Sequence, residues 1–185
     1  MRIIQAPARL PRREIRRKSG GYFTPIMFLA GGITGTENWQ KQFIEMLGDV
    51  DVTILNPRRE IYIESSKEAK RQIKWEFNAF EYVLGRSYRS SVLFWFPKSS
   101  ICPIALFELG KMVVSDVQLY IGCEPGYTRE LDIREQVRLV RHGARVRIAN
   151  SLSDLAKWVS CDLNLRKSTV DTMLSPTYPK PGWLG

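Results

Sequence analysis

Glu108 stands in the segment Pro103-Ile104-Ala105-Leu106-Phe107-Glu108-Leu109-Gly110 and is the only acidic residue between Glu81 and Asp116. Burying an unpaired carboxylate costs several kcal/mol, so this position marks either a paired group or a reactive one. A second carboxyl group, Glu76, falls three residues after Ile73 and four before Phe80, at the border of an apolar helical stripe. A surface pair with Lys74 is the plainer reading of it. Other chemistries lack parts. His142 is the only histidine; in Arg141-His142-Gly143 it reads as a helix end, where the dipole favours it, so histidine metal clusters and relay triads have little support. Cys102, Cys123 and Cys161 are far apart with no CxxC pair, which argues for free thiols rather than a zinc or redox site. No serine sits on an elbow motif. What remains is a carboxylate nucleophile, Glu108, with Glu76 as a second carboxyl group. One attacking an anomeric carbon while the other manages protons is the logic of retaining glycosyl transfer. The apolar setting would also strip water from Glu108. This set of residues calls for no metal and no cofactor.

These residues need elements to hold them. Ile26-Met27-Phe28-Leu29-Ala30 reads as a buried strand ending at Gly31-Gly32. That glycine turn is short of a dinucleotide fingerprint and of a phosphate loop; it serves a tight turn or lets a sugar or base approach the backbone. Thr36 is expected to cap a helix over Glu37–Leu47, with Trp39, Phe43 and Leu47 inward. Val50–Leu55 is a second strand ended by Asn56-Pro57, followed by a polar loop that contains Ile61, Tyr62 and Ile63. Ser66 opens a helix to Leu84 whose stripe is Ala69, Ile73, Phe77, Phe80 and Leu84. Ser91–Phe96 is a third strand, Pro103–Ser115 the helix carrying Glu108, and Val117–Ile121 a fourth strand. Glu130–His142 is a helix with Ile133, Val137 and Val140 inward, Arg145–Ile148 a fifth strand, and Ser151 caps a last helix to Leu165 with Leu152, Leu155, Val159 and Leu163 inward.

Five apolar strands alternating with helices predict an α/β fold. It is a flavodoxin-like, doubly wound, five-stranded parallel sheet in a three-layer sandwich. Ligands of such sheets lie at the carboxyl ends of the strands, here Gly31-Gly32, Asn56-Pro57-Arg58-Arg59, Pro97 onward and Gly122 onward. The helix with Glu108 starts directly after the third of these.

The chain has 185 residues and a net charge of +9, which suits one domain with a substantial core. The division expected is a basic, extended arm over 1–24, a folded body over 25–165, and an irregular tail over 166–185 with Pro176, Pro179 and Pro181. Residues 1–20 hold seven basic groups against Glu14 alone, +6 of the +9, so the body is close to neutral. Contact of the arm with nucleic-acid phosphates is one reading; a solvated or partner-docked extension is the plainer one. No apolar run reaches the ~18 residues of a membrane span and no secretory signal opens the chain, so a cytoplasmic location is expected.

Five motifs occur in order: Phe28-Leu29-Ala30-Gly31-Gly32-Ile33, Asn56-Pro57-Arg58-Arg59, Gln72-Ile73-Lys74-Trp75-Glu76, Phe94-Trp95-Phe96-Pro97 and Ala105-Leu106-Phe107-Glu108-Leu109-Gly110. Together with Pro125-Gly126-Tyr127-Thr128-Arg129, Asp132 and Gln136, they resemble the nucleoside 2-deoxyribosyltransferase-like family over roughly Ile26 to Leu155. The resemblance implies cleavage of the N-glycosidic bond of a (deoxy)nucleoside or nucleotide. The family's glutamate nucleophile maps to Glu108, which would form a glycosyl-enzyme resolved by another base or by water. Glu76 takes the place of an acidic residue that binds substrate or protonates the base. Phe28, Gly31, Gly32, Asn56, Arg58, Pro97 and Cys102 are the substrate-binding candidates; Arg58 and Arg59, at a strand end, are either receivers of a phosphate or solvated loop residues. Related enzymes are homo-oligomers with sites completed across a dimer interface. Two positions depart from the family pattern: Phe28 where a tyrosine is frequent, and Cys102 where an aspartate often precedes the nucleophile by six residues. The alternatives are a nucleotide-binding module without chemistry and a nucleic-acid-associated protein using the arm.

Overall fold

Along the two central strands, residue parity decides the side. Ile26, Phe28, Ala30, Val92, Phe94 and Phe96 join one core cluster, while Met27, Leu29, Leu93 and Trp95 join another. Both sets are buried, so the sheet is covered on both faces, as the uninterrupted apolar runs require. The computed structural model describes residues 1–11, 24–61, 65–141 and 147–173. In chain order they form β1 (Arg2–Gln5), β2 (Ile26–Gly31), α1 (Trp39–Leu47), β3 (Thr53–Asn56), α2 (Ser66–Leu84), β4 (Ser90–Phe96), α3 (Pro103–Val113), β5 (Gln118–Cys123), α4 (Glu130–Val140), β6 (Ile148–Ala149) and α5 (Leu152–Met173). Arg12, Arg13, Arg16, Arg17 and Lys18 of the arm, Tyr62, Ile63, His142, Arg145 and the three tail prolines lie outside the described residues.

The protein is α/β with a six-stranded, all-parallel sheet in the order β1-β3-β2-β4-β5-β6. Apart from β1, this is the strand order of a flavodoxin-like sheet. Helices α1 and α5 pack on one face through Trp39, Phe43, Leu47, Leu155 and Val159. Helices α2, α3 and α4 pack on the other through Trp75, Ala79, Ala105, Leu109 and Ile133. The chain changes direction between β2 and β4, which pair from Ile26↔Ser90 to Gly31↔Trp95. The carboxyl ends of these two strands therefore open the crevice where the loops diverge.

Four expectations are corrected. The sheet has six strands, not five, because Arg2–Gln5 adds in parallel to β3 with Ile4 opposite Leu55. Only Ile4 of those four residues is buried, since an edge strand of this length presents one inward side chain, too few to show a period. Trp75 Nε1 ties down the segment after β1 by donating to the Ala8 carbonyl at 2.7 Å. The last helix runs past Leu165 to Met173, because nothing from Arg166 to Met173 breaks a helix and the first proline is Pro176. Helix α1 is capped by Asn38, which accepts from the Lys41 amide at 3.1 Å, while Thr36 turns back into its own loop. On α2 the inward residues are Trp75, Ala79, Phe80 and Val83. Ile73 and Phe77 are exposed, 64% and 55%, because α2 carries apolar residues on two faces and the indole of Trp75 takes the sheet.

Candidate active site

Two loops build the crevice, and each is tied down by side chains from elsewhere. The first comes after β2. Gly31 has φ +146°, and a Cβ there would collide with the Trp95 carbonyl of the neighbouring strand, so only glycine lets the chain leave the sheet at this point. A Cβ on Gly32 would stand 2.8 Å from Cys102 Sγ. Trp39 Nε1 donates to the Gly32 carbonyl at 2.7 Å, and Thr36 Oγ1 lies 3.0 Å from the same oxygen. Arg58 closes the loop from outside. Its Nη1 donates to the Glu37 carbonyl at 2.7 Å and to Gln40 Oε1 at 3.1 Å; its Nη2 donates to the carbonyls of Ile33 at 3.2 Å and Thr36 at 2.8 Å. Asn56 sets up this clasp by accepting from the Arg58 amide at 3.1 Å.

The second loop, from Pro97 to Cys102, connects β4 to α3. Glu124 Oε2 accepts from the Lys98 amide at 2.9 Å, and the Tyr127 hydroxyl donates to the Ile101 carbonyl at 2.8 Å. Cys102 is left-handed, φ 50°, directly before Pro103. Its thiol donates to the Ser100 carbonyl at 3.4 Å, and its amide donates to Ser100 Oγ at 3.3 Å. The turn aims the first helical residues of α3 at the cleft. Glu108 then lies one turn beyond Ile104 on the same helix face.

Between the loops is a cleft of about 300 Å³, a size suited to a small-molecule ligand. Phe28 and Ala30 form its floor; Gly31 to Thr34 and Pro57 form one wall; Ser100, Cys102 and Ile104 form the other, with Glu76 from α2 and Glu108 from α3 facing in. Phe28 is held by Phe80, ring centroids 4.4 Å apart, and by Trp75 at 6.4 Å. Burial is the main cause that pushes the Glu108 carboxyl up to about 8; the negative charge of Glu76 adds to it, and Lys111 opposes it. Burial also raises Glu76, while a hydrogen bond from Gln72 and the charge of Arg59 pull it back down. Two carboxyl groups that resist joint ionisation are an arrangement for acid and base roles in one site.

Of the residues singled out in the sequence, Phe28, Gly31, Gly32, Glu76, Cys102 and Glu108 line this cleft. Asn56 and Arg58 stand behind its wall, and Pro97 faces a separate depression with Trp39 and Trp95 on the far side of the β2 loop. The two arginines are committed within the fold: Arg58 to the glycine loop, and Arg59 to Gln72 Oε1 at 2.6 Å and Glu68 Oε2 at 2.8 Å. The sequence alone assigned no role to Gln72, Ser100 or Tyr127. Only Gln72 had a local signal, its spacing of four residues from Glu76. Among the described residues no group of three or more His, Cys, Asp or Glu is placed to hold a metal ion, and no helix is long and apolar enough to cross a membrane.

A parallel α/β sheet with two carboxyl groups in a small cleft at its carboxyl edge defines a class of small-molecule site. Residues 24–127 match the family described as "Nucleoside 2-deoxyribosyltransferase like", and the chain belongs to that family. No curated protein matches it.

Proposed function

We propose that the protein cleaves the N-glycosidic bond of a (deoxy)nucleoside or nucleotide through a covalent glycosyl-Glu108 intermediate, passing the sugar to another base or to water. The observation that carries this reading is the placement of Glu108 and Glu76 in one cleft at the carboxyl edge of β2 and β4. An oxygen of ionised Glu108 attacks the anomeric carbon of the sugar. The C–N bond breaks, and its electron pair leaves on the base, which takes a proton from Glu76. In the second half the incoming base or water gives its proton to Glu76, attacks the same carbon and releases Glu108. Phe28 and Ala30 make the floor of the cleft apolar. Arg58 holds the glycine loop rather than a phosphate. The protein acts as a homo-oligomer through the exposed patch of Ile73, Phe77, Ile104 and Phe107 beside the cleft.

A second reading, a nucleotide-binding module without turnover, draws on Cys102. Its thiol is spent on the Ser100 carbonyl and packed under Gly32, so it supplies no carboxylate to orient Glu108. One experiment separates the two. The protein is incubated with a deoxynucleoside plus a different free base, and separately with deoxynucleoside 5′-monophosphates. Exchange or hydrolysis is expected, and Glu108→Ala should lower it by about 10³-fold or more with an unchanged circular dichroism spectrum. Binding without Glu108-dependent turnover selects the module; identical behaviour of wild type and variant on every substrate removes the catalytic reading.

A further inference from the structure

Both N–H groups of the Gln72 amide and its oxygen are engaged. Nε2 donates to the Pro57 carbonyl at 2.8 Å and to Glu76 Oε1 at 2.7 Å, while Oε1 accepts from Arg59 Nε at 2.6 Å. The chemistry of the partners fixes this orientation. A guanidinium only donates, so it must meet the amide oxygen; a peptide carbonyl only accepts, so it must meet the amide nitrogen. Flipping the amide would set Arg59 against an NH2 group and the Pro57 oxygen against an oxygen. Arg59 cannot move away easily, since its side chain is only 7% exposed and is held from behind by Glu68 at 2.8 Å. Residues 72 and 76 are one helical turn apart, so Gln72 reaches Glu76 from the same face of α2.

The consequence falls on the carboxyl group of Glu76. Its Oε1 already receives an N–H, so a proton carried by Glu76 belongs on Oε2. Among the described residues Oε2 takes no hydrogen bond, and Glu76 lines the cleft. We propose that Gln72, backed by Arg59, is a positioning residue that keeps the Glu76 proton on Oε2, from which it passes to the departing base. This rests on the glycosyl-transfer reading and deepens it. As the C–N bond breaks, its electron pair goes to the base nitrogen and the Oε2 proton goes with it. Glu76 is left as a carboxylate whose Oε1 is still hydrogen-bonded by Gln72, with the Arg59 charge behind. The donor therefore stabilises the form of Glu76 that appears as the proton leaves.

The test compares two donors: a deoxynucleoside, whose base needs a proton to depart, and 4-nitrophenyl 2-deoxyriboside, whose nitrophenolate departs without one. Gln72→Met keeps the side-chain length and removes the amide hydrogens. Its kcat/KM on the deoxynucleoside should fall by about 10–100-fold, within the range of a general-acid effect, with less than about a threefold change on the nitrophenyl donor. Gln72→Glu supplies Arg59 with a carboxylate in the same shape and no N–H for Glu76, so it should show the same split if Gln72→Met does not fold. In carbon-13 NMR, the Glu76 carboxyl should titrate at higher pH in both variants than in wild type. An equal loss on both donors, no loss on the deoxynucleoside, or an unmoved Glu76 titration overturns this inference and leaves the glycosyl-transfer reading standing. A wild type without Glu108-dependent turnover of either donor overturns that reading, and this inference with it.

Discussion

The negative charge of Glu76 raises the Glu108 carboxyl beyond what burial alone does, so the two glutamates of the cleft titrate as neighbours rather than as independent groups. A nucleophile must be ionised. Glu76 must hold a proton while Glu108 is ionised, so the active form carries one proton between the two groups, and kcat/KM against pH should be bell-shaped, with its falling limb near the value of about 8 at which the pair loses its last proton. Glu76→Gln removes the neighbouring charge, so this limb should leave its wild-type position and Glu108 should ionise at a lower pH, whatever else the substitution does to the rate. A limb that stays in place would show that the two groups are not coupled.

The same shift makes a stability prediction. Glu108 holds its proton more tightly in the folded chain than its ordinary value of 4.5, so the folded state binds more protons between these values. The stability this gives is present in full below about 4.5 and is lost as pH rises through about 8. Glu108→Gln stays neutral throughout. Its stability relative to wild type, read from Tm, should climb from pH 5 to pH 9, by about 1–3 kcal/mol once solvent screening of this half-buried side chain is allowed. A constant difference across that window would mean that Glu108 ionises freely in the fold.

Arg58 reaches across more than twenty residues to the carbonyls of Ile33, Thr36 and Glu37. Arg58→Ala leaves the Thr36 carbonyl and Gln40 Oε1 without this donor and takes one of two donors from the carbonyls of Ile33 and Glu37. It should lower stability by about 2–4 kcal/mol, which is roughly 5–15 °C in Tm for a chain of this size. The loop forms the cleft wall, so KM should rise more than kcat falls. Arg58→Lys offers one nitrogen in place of a fork and should recover only part of the loss. A Tm within about 2 °C of wild type for Arg58→Ala would contradict this account of the loop.

Phe107 is 77% exposed and Ile104 66%, both on α3; across from them Phe77 of α2 lies under Lys111, whose Nζ is 4.9 Å from its ring centroid. Exposed apolar side chains on two helices that border a cleft are the kind of surface that a second copy covers. Phe107→Glu should shift the protein to a smaller species in sedimentation velocity and reduce turnover, while leaving Tm at high dilution nearly unchanged. Wild type sedimenting as a monomer at every concentration would rule the interface out.

The arrangement of strands and helices was legible because its signals are local. Ile26-Met27-Phe28-Leu29-Ala30 and Val92-Leu93-Phe94-Trp95-Phe96 are apolar on both faces and can only be central strands of a covered sheet. Leu152, Leu155, Val159 and Leu163 mark one side of a helix with no competing side, and all four are buried. Glu108 was legible as well, since a lone carboxylate opening out of a strand–loop–helix unit has its position set by topology. Strand β1 was not, because one inward isoleucine makes no period.

For α2 the sequence allowed two apolar faces, one through Ile73 and Phe77 and one through Trp75 and Ala79. Only the sheet chose between them, because the face that buries the larger and better-fitting surface wins, and that depends on what Phe28 and Val92 present to it. The roles of Arg58, Arg59 and Gln72 were decided in the same way. Residue types establish that an arginine donates and that an amide does both. Which carbonyl or carboxylate stands 2.6–3.2 Å away depends on segments 4 to 25 residues distant coming together. Periodicity and residue chemistry act along the chain and are written in its order; hydrogen-bond partners are chosen across it, and exist only once the sheet and its covering helices have packed.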